Sequence, residues 1–431
     1  MIEQAVIGAG GLGTRMANYS PGIPKALNKV GSKTLLEHSI KCLTENGIRK
    51  VHLLLGVLSE QILEAIPALS RRYDLELTYT IESEALGTGG SLVNALPKLD
   101  EVFIFLYGDL LINTDLKELG KFLIDPEIDC VQLVHPTNHA FDSDLLILND
   151  EGMVCDYLLK PHPQGSLFNN IANSGVYGFK KSSLIGFQGL KSGHKIDLDK
   201  EILPTLVASG MNIKAVRNLG YVRDAGTPER LKVVEGDYHS WKFTDRTRPA
   251  VFLDRDGTLN KTAGHISKLD TFWIYPDVGP FIARANQSGF RVFLITNQPV
   301  VARGEASISD VELIHAKLET VISRSGGYFD AIYYCPHHPD SGFQGERLEF
   351  KIDCNCRKPK VGMIEEAIRT FPTNLAQSMF IGDSNADALC AQNANLRFTR
   401  ISRSPGLSEV NVIKSLDDIE FSADGINVTL S

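Results

Sequence analysis

The stretch VIGAGGLGTRM, residues 6–16, places a glycine-rich turn directly after a short apolar run. Its G-x-G-x-x-G pattern is shared with dinucleotide-binding turns, which need a long following helix and an acidic residue roughly 20 positions further on. Here Pro21 and Pro24 interrupt such a helix, and the residue twenty places after Gly13 is Lys33. The stretch therefore indicates a phosphate-binding loop of another kind rather than a site for a dinucleotide.

The composition is that of an ordinary globular chain long enough for two domains. It has 431 residues, of which 43% are hydrophobic and 22% charged, and its formal net charge is −8 with the basic residues scattered. We therefore expect no nucleic-acid partner, because such binding needs clustered Lys and Arg. The first residues lack a signal-peptide pattern, and no apolar run approaches the ~18 residues that span a bilayer, so we expect a cytoplasmic protein without membrane contact. Homo-oligomer formation remains open.

Strand-length apolar runs alternate with helical patterns in both halves of the chain. The runs are AVIGA (5–9), VHLLLG (51–56), VFIFLY (102–107), AVFLD (250–254), RVFLITN (291–297) and MFIGD (379–383). This alternation predicts the α/β class, with parallel sheets covered by helices on both faces. We predict two Rossmann-like α/β/α domains, residues 1–236 and 249–431, joined by a polar and aromatic linker at 237–248. The last dozen residues suggest an irregular tail.

Residues around the glycine-rich turn suit a nucleoside triphosphate. Glycines let backbone amides approach phosphate oxygens, and the cations Arg15 and Lys25 can neutralise a triphosphate whose terminal part leaves as pyrophosphate. Asp109 ends the run VFIFLYGD at the carboxyl end of a predicted strand, where open α/β sheets bind their ligands. The alternative is a glycine turn with solvated basic residues and a turn aspartate.

The segment AGGLGTR at 9–15, followed by Pro24 and Lys25, resembles the signature of sugar-1-phosphate nucleotidyltransferases, and the resemblance covers about residues 1–235. It implies that Asp109 and Asp224 bind Mg²⁺, which prefers oxygen ligands and bridges phosphates. It also implies substrate contacts from Gly10, Gly11, Gly13, Thr14, Gly87, Thr88, Lys160, Asn173 and Glu201.

Two finer features bear on the substrate. The family commonly has Glu-Lys-Pro where this chain has Leu159-Lys160-Pro161, so a glutamate expected at the sugar hydroxyls is missing. The segment YTIESEALGTGG (79–90) most resembles the branch that transfers GMP to D-glycero-α-D-manno-heptose 1-phosphate, with mannose-1-phosphate guanylyltransferases next. GTP and a heptose 1-phosphate are therefore the expected substrates.

The second half opens on VFLDRDGTLN, residues 251–260. Residues two apart face the same side of a strand, so Asp254 and Asp256 should project together before Gly257 turns the chain. A nucleophilic carboxylate with a neighbouring acid and base is what an aspartyl-phosphate mechanism requires. A loop that binds only calcium is the alternative.

This segment resembles the first motif of the haloacid dehalogenase-like phosphatases. The resemblance implies that Asp254 attacks phosphorus, that Asp256 serves as acid and then base, and that Thr296 and Lys358 bind the phosphoryl oxygens. Mg²⁺ would be bound by Asp254, Asp383 and the backbone carbonyl of Asp256. Substrate contacts are expected from Asn297 and Arg357, and Asp387 should lie one turn into a helix after Asp383.

Between these motifs lies CPHHPDSGFQGERLEFKIDCNCRKP, residues 335–359. Its residues Cys335, His337, Cys354 and Cys356 are suited to a closed, structural Zn²⁺ site that would fix the loop before Arg357. His338 is a rival to His337 as the fourth ligand, and reduced thiols without metal are the alternative. The whole set resembles D-glycero-D-manno-heptose-1,7-bisphosphate 7-phosphatases over about residues 249–400, with histidinol-phosphate phosphatases as close relatives.

Together the halves predict a bifunctional enzyme of GDP-D-glycero-α-D-manno-heptose biosynthesis. The second domain would remove the 7-phosphate of heptose 1,7-bisphosphate, and the first would transfer GMP from GTP to the resulting heptose 1-phosphate. Two alternatives stay open. One is a mannose-1-phosphate guanylyltransferase or another sugar nucleotidyltransferase joined to a histidinol-phosphate-type phosphatase. The other is an N-terminal domain that senses nucleotides without transferring them to a sugar.

Overall fold

The computed structural model describes residues 2–11, 16, 19–56, 58–188, 195–262, 264–403, 412–422 and 425–429. The chain divides into two compact units. The first comprises Met1–His135, Asp144–Leu159 and Ile171–Arg246, and the second comprises Pro136–Ser143, Lys160–Asn170 and Thr247–Ser431. Two α/β units agree with the predicted fold class, while the predicted limits at 236 and 249 stay predictions.

The first unit is built on a nine-stranded mixed sheet. In chain order the strands of this unit are β1 (Gln4–Gly8), β2 (Lys29–Val30), β3 (Lys33–Thr34), β4 (Lys50–Leu55), β5 (Glu76–Ile81), β6 (Val102–Tyr107), β7 (Leu110–Asn113), β8 (Cys130–His135), β9 (Leu145–Leu148), β10 (Val154–Leu158), β11 (Ala172–Lys180), β12 (Ile213–Arg217) and β13 (Tyr221–Asp224). Outside the nine-stranded sheet, β2 pairs with β3 and β7 pairs with β13. Its helices are α1 (Leu35–Glu45), α2 (Ser59–Tyr73), α3 (Gly87–Ala95), α4 (Lys117–Leu123), α5 (Leu203–Ala208), α6 (Pro228–Tyr238) and α7 (Trp241–Thr244), and a π-helical turn spans Leu198–Ile202.

The order of the strands in this sheet indicates the edge at which a ligand-binding crevice is expected. The path is β10-β9-β11-β6-β1-β4-β5, with β8 pairing β11 and β12. Strands β5, β4, β1 and β6 are parallel to one another. Strands β4 and β6 lie on opposite sides of β1, so the direction in which the chain adds strands reverses there. A crevice opens at the carboxyl ends of strands at such a switch point. The loop after β1 and the aspartate after β6 therefore lie at the same edge of the sheet.

The second unit has a six-stranded sheet in which all the pairings are parallel. Its strands are β14 (Ala250–Leu253), β15 (Arg291–Asn297), β16 (Ala331–Cys335), β17 (Met379–Gly382), β18 (Arg397–Ile401) and β19 (Val412–Ile413), followed by the hairpin β20 (Ile419–Ser422) and β21 (Gly425–Val428). Its helices are α8 (Val278–Gln287), α9 (Ile308–Ser323), α10 (Gly362–Thr370) and α11 (Asn385–Asn393). The order β16-β15-β14-β17-β18-β19 is that of a doubly wound sheet, with β14 at the switch point.

Burial explains why the short run at 250–253 forms the central strand. Its four residues, Ala250, Val251, Phe252 and Leu253, are fully buried because helices cover both faces of the sheet. Helix α9 begins at a capping box, in which the Ser307 side chain accepts from the Asp310 amide and the Asp310 carboxylate accepts from the Ser307 amide.

The expectation of an irregular C-terminal tail is wrong for the described residues. Strands β20 and β21 pair antiparallel there. Ile419 and Ile426 are 1% and 2% exposed and pack into the core of the second unit, so burial of these two side chains orders the segment. Among the described residues, no helix combines the length and apolar character needed to cross a bilayer.

Candidate active sites

Two aspartates and a lysine meet at the carboxyl end of β6. Asp109 follows that strand by two residues, and antiparallel pairing of β13 with β7 places Asp224 opposite Leu110, the neighbour of Asp109. The Lys25 ammonium lies 3.4 Å from Asp109 Oδ2. A Cβ atom on Gly226 would lie 2.7 Å from Asp109 Oδ2 and 2.8 Å from Asp224 Oδ1, so only glycine fits between them. The structure thus brings the three predicted residues together.

The electrostatics of this cluster favour a bound cation. Burial and the Asp224 charge raise the pKa of Asp109, and the attraction of Lys25 does not offset them. Asp224 is also paired with the Arg230 guanidinium. Two carboxylates facing one point are the hard oxygen ligands that a divalent cation such as Mg²⁺ takes, and the ion would relieve their repulsion.

The two predicted glycine loops differ in how much of them the structure describes. Gly10 packs against the backbone of Gly56, where a Cβ would lie 2.4 Å from the Gly10 carbonyl oxygen, so the loop after β1 approaches the end of β4 closely. Gly11 has open space around its Cα. Gly13, Thr14 and Arg15 lie outside the described residues, and their roles stay predictions.

The second glycine loop packs on the segment that leads into the π-helical turn. Gly87 has φ +79°, and a Cβ there would lie 2.5 Å from the Ile196 carbonyl oxygen, so glycine is required. The Thr88 hydroxyl accepts a hydrogen bond from the Leu198 amide at 2.9 Å. This packing fixes residues 196–202 against the start of α3.

The predicted sugar-facing residues lie in different environments. The Asn173 amide, on β11, donates to Asp199 Oδ1 at 2.8 Å. Glu201 is exposed, and its carboxylate accepts from the Asp197 amide at 2.9 Å. Lys160 belongs to the second unit, where its ammonium donates to the Asp142 carbonyl oxygen at 2.7 Å. The structure therefore brings Asn173 to a carboxylate that the sequence motifs did not single out.

In the second unit, Asp254 follows the central strand β14 directly and contacts Lys358. Lys358 Nζ lies 2.5 Å from Asp254 Oδ1, and the two side chains are 3% and 9% exposed. Burial disfavours the Lys358 charge, but Asp254 and Asp387 outweigh it and raise the pKa of the lysine. Burial raises the pKa of Asp254, against the attraction of Lys358. Lys358 therefore stays protonated. Its positive charge offsets the free-energy cost of burying the Asp254 carboxylate beside it.

Three carboxylates of the second unit converge closely enough to share an ion. One oxygen from each of Asp254, Asp383 and Asp387 lies within 4.8 Å of the others. As predicted, Asp387 lies one turn into α11, where its Oδ2 accepts from the Ser384 amide at 3.0 Å and its Oδ1 lies 2.6 Å from Lys358 Nζ. Burial and the Asp387 charge raise the pKa of Asp383 to about 6. This oxygen donor set fits Mg²⁺.

The other predicted substrate contacts of this site lie on the same edge. Thr296 and Asn297 end β15, and Asn297 exchanges two hydrogen bonds with the backbone of Lys358, at 3.0 and 3.1 Å. Asn297 therefore positions the lysine segment. The Arg357 guanidinium donates to the His337 carbonyl oxygen at 3.1 Å, which ties it to the cysteine loop.

The side chains of Cys335, His337, Cys354 and Cys356 form a cluster that can hold a metal ion. Their ligand atoms all lie within 4.8 Å of one another, with 3.5 Å between the sulfurs of Cys335 and Cys354 and 3.3 Å between His337 Nδ1 and Cys356 Sγ. His338 Nδ1 instead accepts from the Asp340 amide. The structure therefore selects His337 over His338. Three sulfurs and one imidazole nitrogen fit tetrahedral zinc.

Comparison with known proteins decides the families. Residues 4–240 match the family described as nucleotidyl transferase, and residues 250–402 match the one described as polynucleotide kinase 3 phosphatase. The second half is also 37% identical over 151 residues to the D-glycero-beta-D-manno-heptose-1,7-bisphosphate 7-phosphatase of Haemophilus ducreyi, covering 35% of this chain and 80% of that protein. The chain belongs to both the nucleotidyl transferases and the heptose bisphosphate phosphatases.

Two further proteins are similar to parts of this chain. The heptose bisphosphate phosphatase of Escherichia coli K12 is 35% identical over 148 residues, or 34% of this chain and 75% of that protein. The crystal structure of HddC from Yersinia pseudotuberculosis complexed with GMP-PN has 24% identity and a TM-score of 0.46, covering 55% of this chain and 100% of that one. The predicted fusion of a sugar nucleotidyltransferase with a heptose bisphosphate phosphatase is confirmed.

The phosphatase site contains a cation that the sequence analysis did not single out. The Arg255 side chain is fully buried, and its Nε and one terminal nitrogen donate to the two oxygens of Asp256 at 3.2 and 3.0 Å. The same guanidinium donates to Gln298 and contacts His315 Nε2 at 3.1 Å. Burial raises the pKa of Asp256, but Arg255 and the other donors outweigh it, so the pKa is lowered. Arg255 therefore orients the Asp256 carboxylate and favours its ionised form.

The nucleotidyl transferase unit likewise contains a partly buried carboxylate that the sequence analysis missed. Asp199 accepts hydrogen bonds from Tyr107, at 2.7 Å, and from Tyr177 as well as from Asn173. The hydroxyl of a buried tyrosine needs a hydrogen-bond partner. The tyrosines on β6 and β11 could therefore have indicated that a polar residue lies near them. The sequence does not reveal which residue supplies it.

Proposed function

We propose that the chain converts heptose 1,7-bisphosphate into GDP-heptose in two steps, with the phosphatase unit acting first. One observation carries the proposal. A unit related to heptose bisphosphate phosphatases shares a chain with a nucleotidyl transferase unit in which Lys25, Asp109 and Asp224 are gathered. Removal of the 7-phosphate leaves a sugar 1-phosphate, and a sugar 1-phosphate is the acceptor that nucleotidyl transfer needs.

The geometry of the second unit supports phosphate transfer to Asp254. Its carboxylate attacks phosphorus and the bond from phosphorus to the 7-oxygen breaks. Asp256, which is ionised in the free site, takes up a proton from the monoanionic phosphate ester as substrate binds and passes it to the departing oxygen. Asp256 then takes a proton from water, which attacks the aspartyl phosphate and releases phosphate. Lys358, 2.5 Å from Asp254, neutralises charge on the phosphoryl group. A Mg²⁺ ion bound by Asp254 and Asp383 would add electrostatic stabilisation of that charge.

The first unit supports transfer of a nucleotide to the sugar phosphate. The sugar-phosphate oxygen attacks the α-phosphorus of the triphosphate, and the bond to the β-phosphate oxygen breaks to release pyrophosphate. Lys25 is positioned to neutralise phosphate charge. Asp109 and Asp224 would hold a Mg²⁺ ion, which would neutralise further charge on the triphosphate. We propose guanine as the base because YTIESEALGTGG resembles the guanylyltransferase branch that acts on heptose 1-phosphate. We propose heptose as the sugar for the same reason, and because the same chain contains a unit related to heptose bisphosphate phosphatases.

A substrate panel tests the specificity directly. Purified protein with Mg²⁺ would receive the α- or β-anomer of heptose 1,7-bisphosphate and one of the four nucleoside triphosphates, with phosphate, pyrophosphate and nucleotide sugar measured separately. We expect GDP-heptose from one anomer and GTP. Transfer to mannose 1-phosphate alone would favour a mannose-1-phosphate guanylyltransferase, and nucleotide-dependent phosphate release without pyrophosphate would favour a nucleotide sensor.

Arg255→Met is expected to move the acidic limb of the phosphatase kcat profile to higher pH. Wild-type Asp256 has a lowered pKa and remains ionised as the pH falls, so it can still act as base on the aspartyl phosphate. Without the guanidinium that pKa rises, so kcat should begin to fall at a higher pH than in the wild-type protein. Arg255→Lys should shift it less. An unshifted limb in a folded Arg255→Met protein would show that Arg255 does not set the Asp256 charge.

Cys354→Ser is expected to remove one bound zinc ion per chain, because three ligands hold zinc far more weakly than four. The loop carrying Arg357 and Lys358 would lose its anchor, so phosphate release should fall on the order of tenfold while pyrophosphate release persists. Zinc is measured by elemental analysis, with Cys155→Ser, at an exposed cysteine outside the cluster, as control. Wild-type protein without zinc, or a Cys354→Ser protein that retains it, would contradict the assignment.

A further inference from the structure

The carboxylate of Asp199 lies in an unusual setting within the first unit. It accepts from the hydroxyls of Tyr107 and Tyr177 and from the amide of Asn173, and all three donors are neutral. Burial raises its pKa to about 6, an effect that the tyrosine hydrogen bonds only partly oppose. Uncompensated carboxylates are costly to enclose and cluster at functional sites.

The hydrogen-bond geometry leaves this carboxylate able to accept from a ligand. A carboxylate offers about four acceptor positions, two on each oxygen. Among the described residues, Tyr177 and Asn173 use both positions on Oδ1, whereas Tyr107 uses one on Oδ2. Asp199 is also only partly buried. One position on Oδ2 therefore remains for a donor such as a sugar hydroxyl.

The surroundings of Asp199 belong to the proposed nucleotidyl transfer site. Tyr107 ends β6, two residues before Asp109, and its ring lies 2.7 Å from where a Cβ of Gly175 would be, so glycine lets it approach β11. Asp199 itself lies in the π-helical turn that the Thr88 loop holds in place. Such turns occur frequently at functional sites.

We propose that Asp199 binds a hydroxyl of the sugar 1-phosphate. This inference rests on the proposed transfer of a nucleotide to a sugar 1-phosphate. The hydrogen bonds from Tyr107, Tyr177 and Asn173 hold the carboxylate in place. Only a sugar whose ring carries a hydroxyl at the right position could then donate to Oδ2. Asp199 is thereby a specificity residue for the sugar and has no role in binding the nucleotide.

The test compares Michaelis constants for the two substrates in the full chain. Asp199→Asn keeps the shape but replaces an anionic acceptor, and we expect KM for heptose 1-phosphate to rise about 10- to 100-fold with KM for GTP changed less than about twofold. Tyr107→Phe removes one donor but keeps the carboxylate, so its effect on the sugar KM should be much smaller. Asp150→Asn, at an exposed turn, is the matched control.

Monodeoxy analogues of heptose 1-phosphate identify the hydroxyl. Wild-type protein should discriminate against one analogue by about tenfold or more, and Asp199→Asn should lose that discrimination. An unchanged sugar KM, or equal rises in both KM values, would overturn the Asp199 inference alone. Transfer to a different sugar 1-phosphate would overturn the heptose assignment. The KM values of wild-type and Asp199→Asn proteins would then be compared for that sugar 1-phosphate. Wild-type protein that transfers nucleotide to no sugar 1-phosphate would overturn both.

Discussion

Asp254→Asn in the full chain is expected to lower phosphate release from heptose 1,7-bisphosphate by at least about 10⁴-fold, while pyrophosphate release from GTP and supplied heptose 1-phosphate continues at the wild-type rate. Asparagine is nearly the same size but cannot form the aspartyl phosphate. The large effect follows because Asp254 supplies the bond-forming oxygen, whereas its neighbours only position or neutralise charge. Quenched-flow trapping of the phosphoenzyme should find none.

The control for this variant must separate chemistry from folding. Asp254→Asn leaves the buried Lys358 with one fewer carboxylate, and breaking such a pair costs several kcal/mol. Lys358 keeps Asp387 as a partner, so we expect the second unit to stay folded at 25 °C. Asp270→Asn, at an exposed position, should leave both activities unchanged. Phosphate release that survived Asp254→Asn at more than a few per cent would rule out Asp254 as the nucleophile.

Asp109→Ala is expected to have the reverse selectivity. Pyrophosphate release should fall by at least about 10³-fold, because the carboxylate pair that would hold the metal on the triphosphate is reduced to Asp224 alone. Phosphate release should be unaffected, since the second unit has its own carboxylates. Both products are measured in one reaction, so each variant provides the internal control for the other.

Two outcomes for Asp109→Ala would count against the account. If both activities were lost in a folded protein, the two sites would not be independent. If nucleotidyl transfer persisted, Asp109 would be a structural residue. The melting temperature distinguishes these cases from unfolding. Removal of the partly buried Asp109 carboxylate should raise the melting temperature slightly if anything, because desolvation and the Asp224 charge raise the pKa of Asp109.

Much of the fold and of the phosphatase site could be predicted from local sequence. The apolar run at 250–254 predicts a buried strand, and Asp256 two residues later predicts a pair of carboxylates at its end. Both predictions were possible because the side-chain alternation of a strand and the turn at Gly257 depend on only a few neighbouring residues. The cluster of Cys335, Cys354 and Cys356 with a histidine was likewise predicted from spacing. The choice between the two histidines needed the structure, in which His337 Nδ1 lies 3.3 Å from Cys356 Sγ whereas His338 Nδ1 accepts from the Asp340 amide. The parallel pairing of the second sheet follows from the alternation of strands and helices, whereas the order of its strands is known only from the structure.

What could not be predicted depends on contacts between distant positions. Arg255 meets His315, sixty residues away, and Tyr107 meets Asp199, ninety-two residues away. Such pairs leave no spacing signal in a single sequence, since burial and hydrogen-bond satisfaction are decided only after the strands have been ordered. The terminal hairpin was missed for the same reason, because Ile419 and Ile426 are ordered by packing against the core rather than by local propensity.

A two-stage reaction followed by ³¹P NMR tests the central claim that one chain performs both reactions in a fixed order. Protein and Mg²⁺ first receive heptose 1,7-bisphosphate without GTP, and we predict release of one phosphate per sugar with accumulation of heptose 1-phosphate. Addition of GTP should then produce pyrophosphate and GDP-heptose in equal amounts. Absence of pyrophosphate after GTP addition, or formation of a nucleotide sugar from the bisphosphate by the Asp254→Asn protein, would contradict the account.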